Sequence, residues 1–150
     1  EANDRHWVEG NWSSSSGASA IDKLFKQYPD LDAIFVANDQ MALSVMQFFG
    51  EQGIQVPGQV GIVGFDNIAE SAYFSPALTT IEQDQNTVAK TAVAEILRVI
   101  ESGWQGLEDI RRKPIILPPK LIVRQSSLHV RGGDLQAKQP PVSGARNPSD

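Results

Sequence analysis

Two short apolar runs constrain this chain more than any other feature: AIFVA at 33–37 and VGIVGF at 60–65. Each is too brief for a helix and is apolar throughout, which predicts strands covered on both faces, as in a parallel sheet. Parallel neighbours need a crossover, and the sequence supplies one. Asn38 or Asp39 can cap a helix running to about Gln52, where Gly53 stops it. An earlier helix is predicted from Gly17 to Tyr28, because Ile21, Leu24, Phe25 and Tyr28 recur at i, i+3, i+4 and i+7. Ser13 to Ser16 offer its N-cap and Pro29 closes it. Strands and helices alternating at this rhythm give an α/β fold, a parallel sheet flanked by helices.

The helix after Asp39 carries Met41, Ala42, Leu43, Val45, Met46, Phe48 and Phe49, more apolar surface than one stripe against a sheet uses. A second burial partner is implied. Beyond VGIVGF, one or two helical turns are expected over Ile68–Phe74 and a strand over Leu78–Gln83. A helix follows over Asn86–Ser102, with Ala89, Ala92, Val93, Ile96, Leu97 and Ile100 as its apolar stripe and Gly103 as its stop. Extended pieces at 113–117 and 120–125 flank Pro118-Pro119 like a hairpin. Three or four parallel strands are expected before Pro76, after which the chain passes into a second unit near Leu78. The expected organisation is 1–77 as the main part of one lobe and 78–119 as a crossover into a partial second lobe. A return strand at 120–130 and a disordered tail at 131–150, rich in Pro, Gly and polar residues, complete it.

Composition narrows the partners. With 13 Lys plus Arg against 18 Asp plus Glu, the net charge is −5, a poor balance for gripping a phosphate backbone directly. Cys 0 removes disulfides, thiolate metal sites and cysteine nucleophiles, and suits a reducing compartment. The opening EANDRHWVEG has neither a basic n-region nor an apolar h-region, and no span approaches the ~18 apolar residues of a membrane helix. A cytoplasmic protein without a membrane partner is the expectation.

Enzyme motifs do not assemble. There is no G-x-S-x-G elbow, no P-loop, and Gly58, Gly61 and Gly64 do not form a dinucleotide fingerprint. His6 and His129 stand far apart without a ligand motif, so neither a metal nor a cofactor is expected. Arg111-Arg112-Lys113 reads as a charged strand entry.

Chemistry concentrates where the predicted strands end. Ligands of open parallel sheets sit beyond the carboxyl ends of the strands, where loops converge. Asn38-Asp39 and Asp66-Asn67 occupy two such loops, and Trp12 closes the first extended region. An amide, a carboxylate and an indole suit a polyhydroxylated molecule: the carboxylate accepts from hydroxyls, the amide donates and accepts, and the ring packs on C–H faces. A nucleobase suits them too. The same residues are also ordinary helix caps, turn residues and core.

Four ordered blocks, IFVANDQMALSVM, GIQVPGQVGIVGFDN, SPALTTIEQD and LPPKLIVRQSS, resemble the effector-binding region of the lactose and galactose repressor family of bacterial transcription regulators. The resemblance runs from about Gly10 to Ser127 and implies the carboxyl-terminal half of a two-lobed, periplasmic-binding-protein-like module. It implies Trp12 as a stacking aromatic, Asn38 as a polar ligand contact, Asp66 as the carboxylate to ligand hydroxyls and Gln83 as a cleft-lining residue. Asp39 looks more like the helix cap. It further implies a homodimer, with Leu43 and Met46 as interface positions, a small-molecule effector, and DNA bound through an upstream domain absent from this chain. Two departures bear on the ligand: Asn67 stands where the family often has a second aspartate, and Trp12 where it often has phenylalanine. A Trp face favours a sugar over a purine. The rival reading is a periplasmic solute-binding protein for a sugar transporter, which shares the fold.

Overall fold

The computed structural model describes residues 6–103 and 114–128. Its first helix, α1 (Ser14–Gln27), is capped by the Ser13 hydroxyl, which accepts the Ser16 N–H at 3.2 Å. Strand β1 (Ala33–Phe35) leads into α2 (Asp39–Glu51), and β2 (Gly61–Phe65) leads into a short 3-10 helix, Ala69–Tyr73. Strand β3 (Thr79–Glu82) precedes α3 (Gln85–Glu101), and β4 (Lys120–Ile122) ends in a 3-10 turn, Gln125–Ser127. The four strands form one sheet in the order β1-β2-β3-β4. The first three are parallel, with Phe35 beside Val63 and Phe65 beside Ile81; β4 runs antiparallel to β3, with Leu121 beside Ile81.

The core lies between one sheet face and the α1–α2 pair. Ile21, Val36, Ala42, Val45, Phe49, Ile62 and Leu78 are buried there. Complete burial of Phe49, Ile62 and Leu78 contributes about 1.5–3 kcal/mol each. The two helices approach closely enough that a Cβ at Gly17 would lie 2.7 Å from the Met41 carbonyl oxygen, so only glycine fits at that crossing.

Several expectations change. The strands alternate instead of being covered on both faces: Ile34 and Val36 turn inward, while Phe35 is 60% exposed on an edge strand, its ring 6.3 Å from that of Phe65. An uninterrupted apolar run reports composition and cannot show which face is covered. Two strands, not three or four, precede Pro76 among the described residues, because residues 7–11 form no strand. β3 is paired on both sides, with β2 and with β4, and the sheet runs on to Glu82. β4 pairs with β3 and makes no hairpin with 114–117. Much of the apolar surface of α2 is covered within the chain: Met46 is buried in the core, and Phe25, Phe48 and Phe49 stack edge to face. Leu43 alone of the expected interface pair is open, at 47% exposure. The helix over 85–101 forms as expected, but of its apolar positions Val99 is buried while Val93, Ile96, Leu97 and Ile100 are exposed. Arg111-Arg112-Lys113, His129 and the tail at 131–150 lie outside the described residues.

Helix α3 begins on Asp84, whose carboxylate accepts the Thr87 hydroxyl at 2.6 Å and the Thr87 N–H at 3.0 Å. Those bonds, the hydroxyl's first, hold the carboxyl below its ordinary range. A depressed acid stabilises above its unfolded pKa, and that contribution is lost as pH falls through the folded value. Helicity of α3 should therefore fall on acidification below the ordinary aspartate range. Replacing Asp84 by Asn, which caps without titrating, should flatten that acid limb in amide exchange of residues 86–90; an unchanged pH profile would contradict it.

Candidate functional site

Asn38 and Asp66 end up at the tips of neighbouring parallel strands. Phe35 is level with Val63, and Asn38 and Asp66 each follow that pair by three residues in the loops after the two strands. Each tip has its own hydrogen-bond frame. Asn38 caps α2: its amide oxygen accepts the Met41 N–H at 3.0 Å, and its amide nitrogen donates to the Trp12 carbonyl at 2.9 Å. The side chain is 5% exposed, so Asn38 holds Trp12 in place more than it faces solvent. Trp12 itself is 67% exposed, with φ 70°.

Asp39 is not the cap. It is fully buried behind the strand tips, where one carboxylate oxygen accepts the Thr80 hydroxyl at 2.6 Å and the other accepts the Ile68 N–H at 3.0 Å. The carboxylate fits because Gly64 on β2 leaves the space; a Cβ there would collide with it. Capping falls to the residue before it because Asn38 has the extended φ of −153° an N-cap needs.

Asp66 is half-buried, and its backbone N–H donates to the Ile81 carbonyl at 2.8 Å. Gln83, exposed just beyond β3, donates from its amide nitrogen to the Asp66 carboxylate at 3.4 Å. Two pairs thus form, Trp12 with Asn38 and Asp66 with Gln83, on consecutive strand tips. Among the described residues, the non-glycine residues with positive φ are Trp12, Asp66 and Asn67, at 70°, 102° and 52°. Left-handed backbone in residues with a Cβ costs on the order of 1–3 kcal/mol and clusters at functional sites. All three fall here.

A large groove lies elsewhere. A groove of about 1170 Å³ runs along the open edge of β1, between residues 6–12 and α1, lined by Trp7, Val8, Leu24, Tyr28 and Ile34. It touches Trp12 but none of Asn38, Asp66 or Gln83. Its wall is mainly apolar and runs along a sheet edge, a setting for backbone pairing and not for polyol hydroxyls. A smaller hollow of about 230 Å³ is lined by Gln83, Asp84, Phe65 and Leu117.

Three further residues complete the frame and were not singled out from sequence: Thr80, Glu82 and Arg124. Arg124 reaches Asn67 Oδ1 at 2.8 Å, and Glu82 accepts from Asn67 Nδ2 at 2.9 Å. The available signal was a lone cation in the apolar stretch LIVRQSS. Among the described residues no three His, Cys, Asp or Glu side chains cluster to hold a metal, and no helix is long and apolar enough to cross a membrane.

Residues 2–127 match the periplasmic binding protein-like domain. The HTH-type transcriptional repressor PurR of Aliivibrio fischeri (strain MJ11) is 36% identical over 126 residues, covering 82% of this chain and 36% of that protein. The lactose operon repressor of Klebsiella pneumoniae is 35% identical over 127 residues, covering 85% of this chain and 34% of that one. The chain spans about a third of the length of these relatives. Among solved structures, the cellobiose complex of the transcriptional regulator CelR superposes with a TM-score of 0.74 at 25% identity, over 85% of this chain and 37% of that one. The lac repressor dimer bound to operator and the anti-inducer ONPF gives 0.67 at 31% identity, over 80% and 40%. The match over nearly all described residues, together with the shared α/β fold, establishes the affiliation: the chain belongs to the periplasmic binding protein-like domain family, as the carboxyl-terminal effector-binding region of a LacI-family regulator.

Proposed function

We propose that this chain is the effector-sensing and dimerising part of a cytoplasmic DNA-binding repressor that responds to a sugar. The observation that carries the reading is at the strand tips, where Gln83 donates to the Asp66 carboxylate, Asn38 donates to the Trp12 backbone carbonyl, and Trp12 and Asp66 both have positive φ. Asp66 accepts from ligand hydroxyls, Gln83 offers an amide beside it, and Trp12 packs on the C–H face of a pyranose. Asn38 acts through the Trp12 backbone carbonyl, and its amide retains an N–H and a lone pair for a direct bond. No bond is made or broken. Binding shifts an equilibrium between arrangements of the repressor in proportion to its preference for one of them, and the DNA-reading domains report that shift. A sugar effector is supported by the cellobiose held by the CelR neighbour and by the indole, whose face suits a saccharide.

Calorimetric titration of the full-length protein against mono- and disaccharides, with nucleobases in the same panel, tests the assignment. Saturable binding of a saccharide is expected, with a change in operator affinity on its addition; a folded protein silent to the whole panel would refute the sensor reading.

The dimer reading rests on Leu43, exposed on α2 between Gln40 and Gln47. Truncating it to Ala removes about 1 kcal/mol of apolar burial per protomer, twice in a symmetric dimer, or roughly thirtyfold in dimer dissociation. Sedimentation of the full-length Leu43→Ala protein should show that shift, and an unchanged dissociation constant would remove α2 from the interface.

A further inference from the structure

Asn67 faces no ligand in the reading above, yet it secures the residue that does. Its amide oxygen accepts Arg124 Nη2 at 2.8 Å, its amide nitrogen donates to Glu82 Oε1 at 2.9 Å, and its backbone N–H donates to Thr80 Oγ1 at 3.3 Å. Arg124 is fixed in turn: Nη1 donates to the Leu78 carbonyl at 2.8 Å and to Ser71 Oγ at 3.1 Å, and its backbone N–H donates to Thr79 Oγ1 at 2.8 Å. Glu82 is the last residue of β3, and Arg124 follows β4 by two residues. Between them the chain leaves the sheet and comes back. Asn67 therefore ties the Asp66 loop to the outgoing and the returning strand together.

The geometry points to Asn67 as the positioning residue of the effector site, coupling the Asp66 carboxylate to the placement of β3 and β4 through its paired bonds to Glu82 and Arg124. This inference rests on the effector reading and names a regulatory element within it. An amide is needed because one side chain must accept from a guanidinium and donate to a carboxylate at once. A carboxylate keeps the first bond, loses the second and sets like charges against each other. Among the described residues the ion pairs are Lys26 with Asp22 and Arg98 with Glu95, so the Arg124 charge is met by neutral acceptors and the fit depends on the Asn67 amide.

Asn67→Asp is the discriminating variant, since aspartate has the same shape and tolerates left-handed backbone. In the full-length protein, titrated with cellobiose, lactose, maltose and adenine, the best wild-type binder should bind Asn67→Asp about tenfold more weakly. Adding Glu82→Gln restores the donor–acceptor pair with its polarity reversed, and the double variant should recover to within about threefold of wild type. A general loss of structure would not be repaired by that second change. Wild-type affinity in Asn67→Asp, or a loss that Glu82→Gln does not rescue, would overturn the inference while leaving the effector site standing. Silence from the folded wild-type protein across all four compounds would instead overturn the effector reading and this inference with it.

Discussion

Gly64→Ala is expected to lower the stability of the fold by about 3 to 6 kcal/mol, a large share of the ~5–15 kcal/mol available to a domain. The added Cβ would collide with the Asp39 carboxylate and sit 2.9 Å from Leu78 Cδ2, and Leu78 is fully buried. Neither neighbour has somewhere to go. Asp39 is held by Thr80 Oγ1 and the Ile68 N–H, and displacing it leaves a buried polar group without partners. Urea denaturation measures the loss. A cycle with Asp39→Ala identifies its origin, because removing the carboxylate makes room and the two changes together should cost less than they do separately. A loss below about 1 kcal/mol would mean that the β2–α2 contact is looser than described.

Asp66→Gly should separate stability from function. The carboxylate contributes one or two charge-assisted bonds to ligand hydroxyls at about 1.5–3 kcal/mol each, so its loss should weaken effector binding roughly ten- to hundredfold. Asp66 sits at φ 102°, where glycine is at ease and aspartate is strained, so the same substitution should leave the melting temperature equal or higher. Reduced affinity with undiminished stability is the mark of strain held at a binding site. Asp66→Ala, lacking both carboxylate and backbone freedom, should lose on both counts. Intact affinity in Asp66→Gly would remove Asp66 from the site.

Periodicity and punctuation made the helices and the strand positions readable. Ser13 and Asn38 cap where polar residues precede an apolar period, and Gly53 and Gly103 stop their helices with φ of 68° and 64°. What the sequence hid was tertiary. Asn38 and Asp39 are adjacent and chemically alike, and only the backbone direction decides that the amide caps while the acid turns inward to Thr80. Met46 and Leu43 share one helix, but only packing against the core shows that Met46 is spent inside. The α3 stripe was legible as a pattern, whereas its exposure depends on what lies beside it. Of the proposed site, Trp12, Asp66 and Gln83 could be read from motif resemblance, and β1 lies parallel beside β2. Asn67, Glu82 and Arg124 could not, because their partnership spans 57 positions between Asn67 and Arg124.

The crystal structure of the full-length protein with its tightest-binding saccharide tests the central claim most directly. The account predicts the sugar at the carboxyl ends of the first two strands, its hydroxyls on the carboxylate of residue 66 and one ring face against the indole of residue 12. A sugar bound instead in the groove beside the open edge of β1, out of reach of that carboxylate, would contradict it.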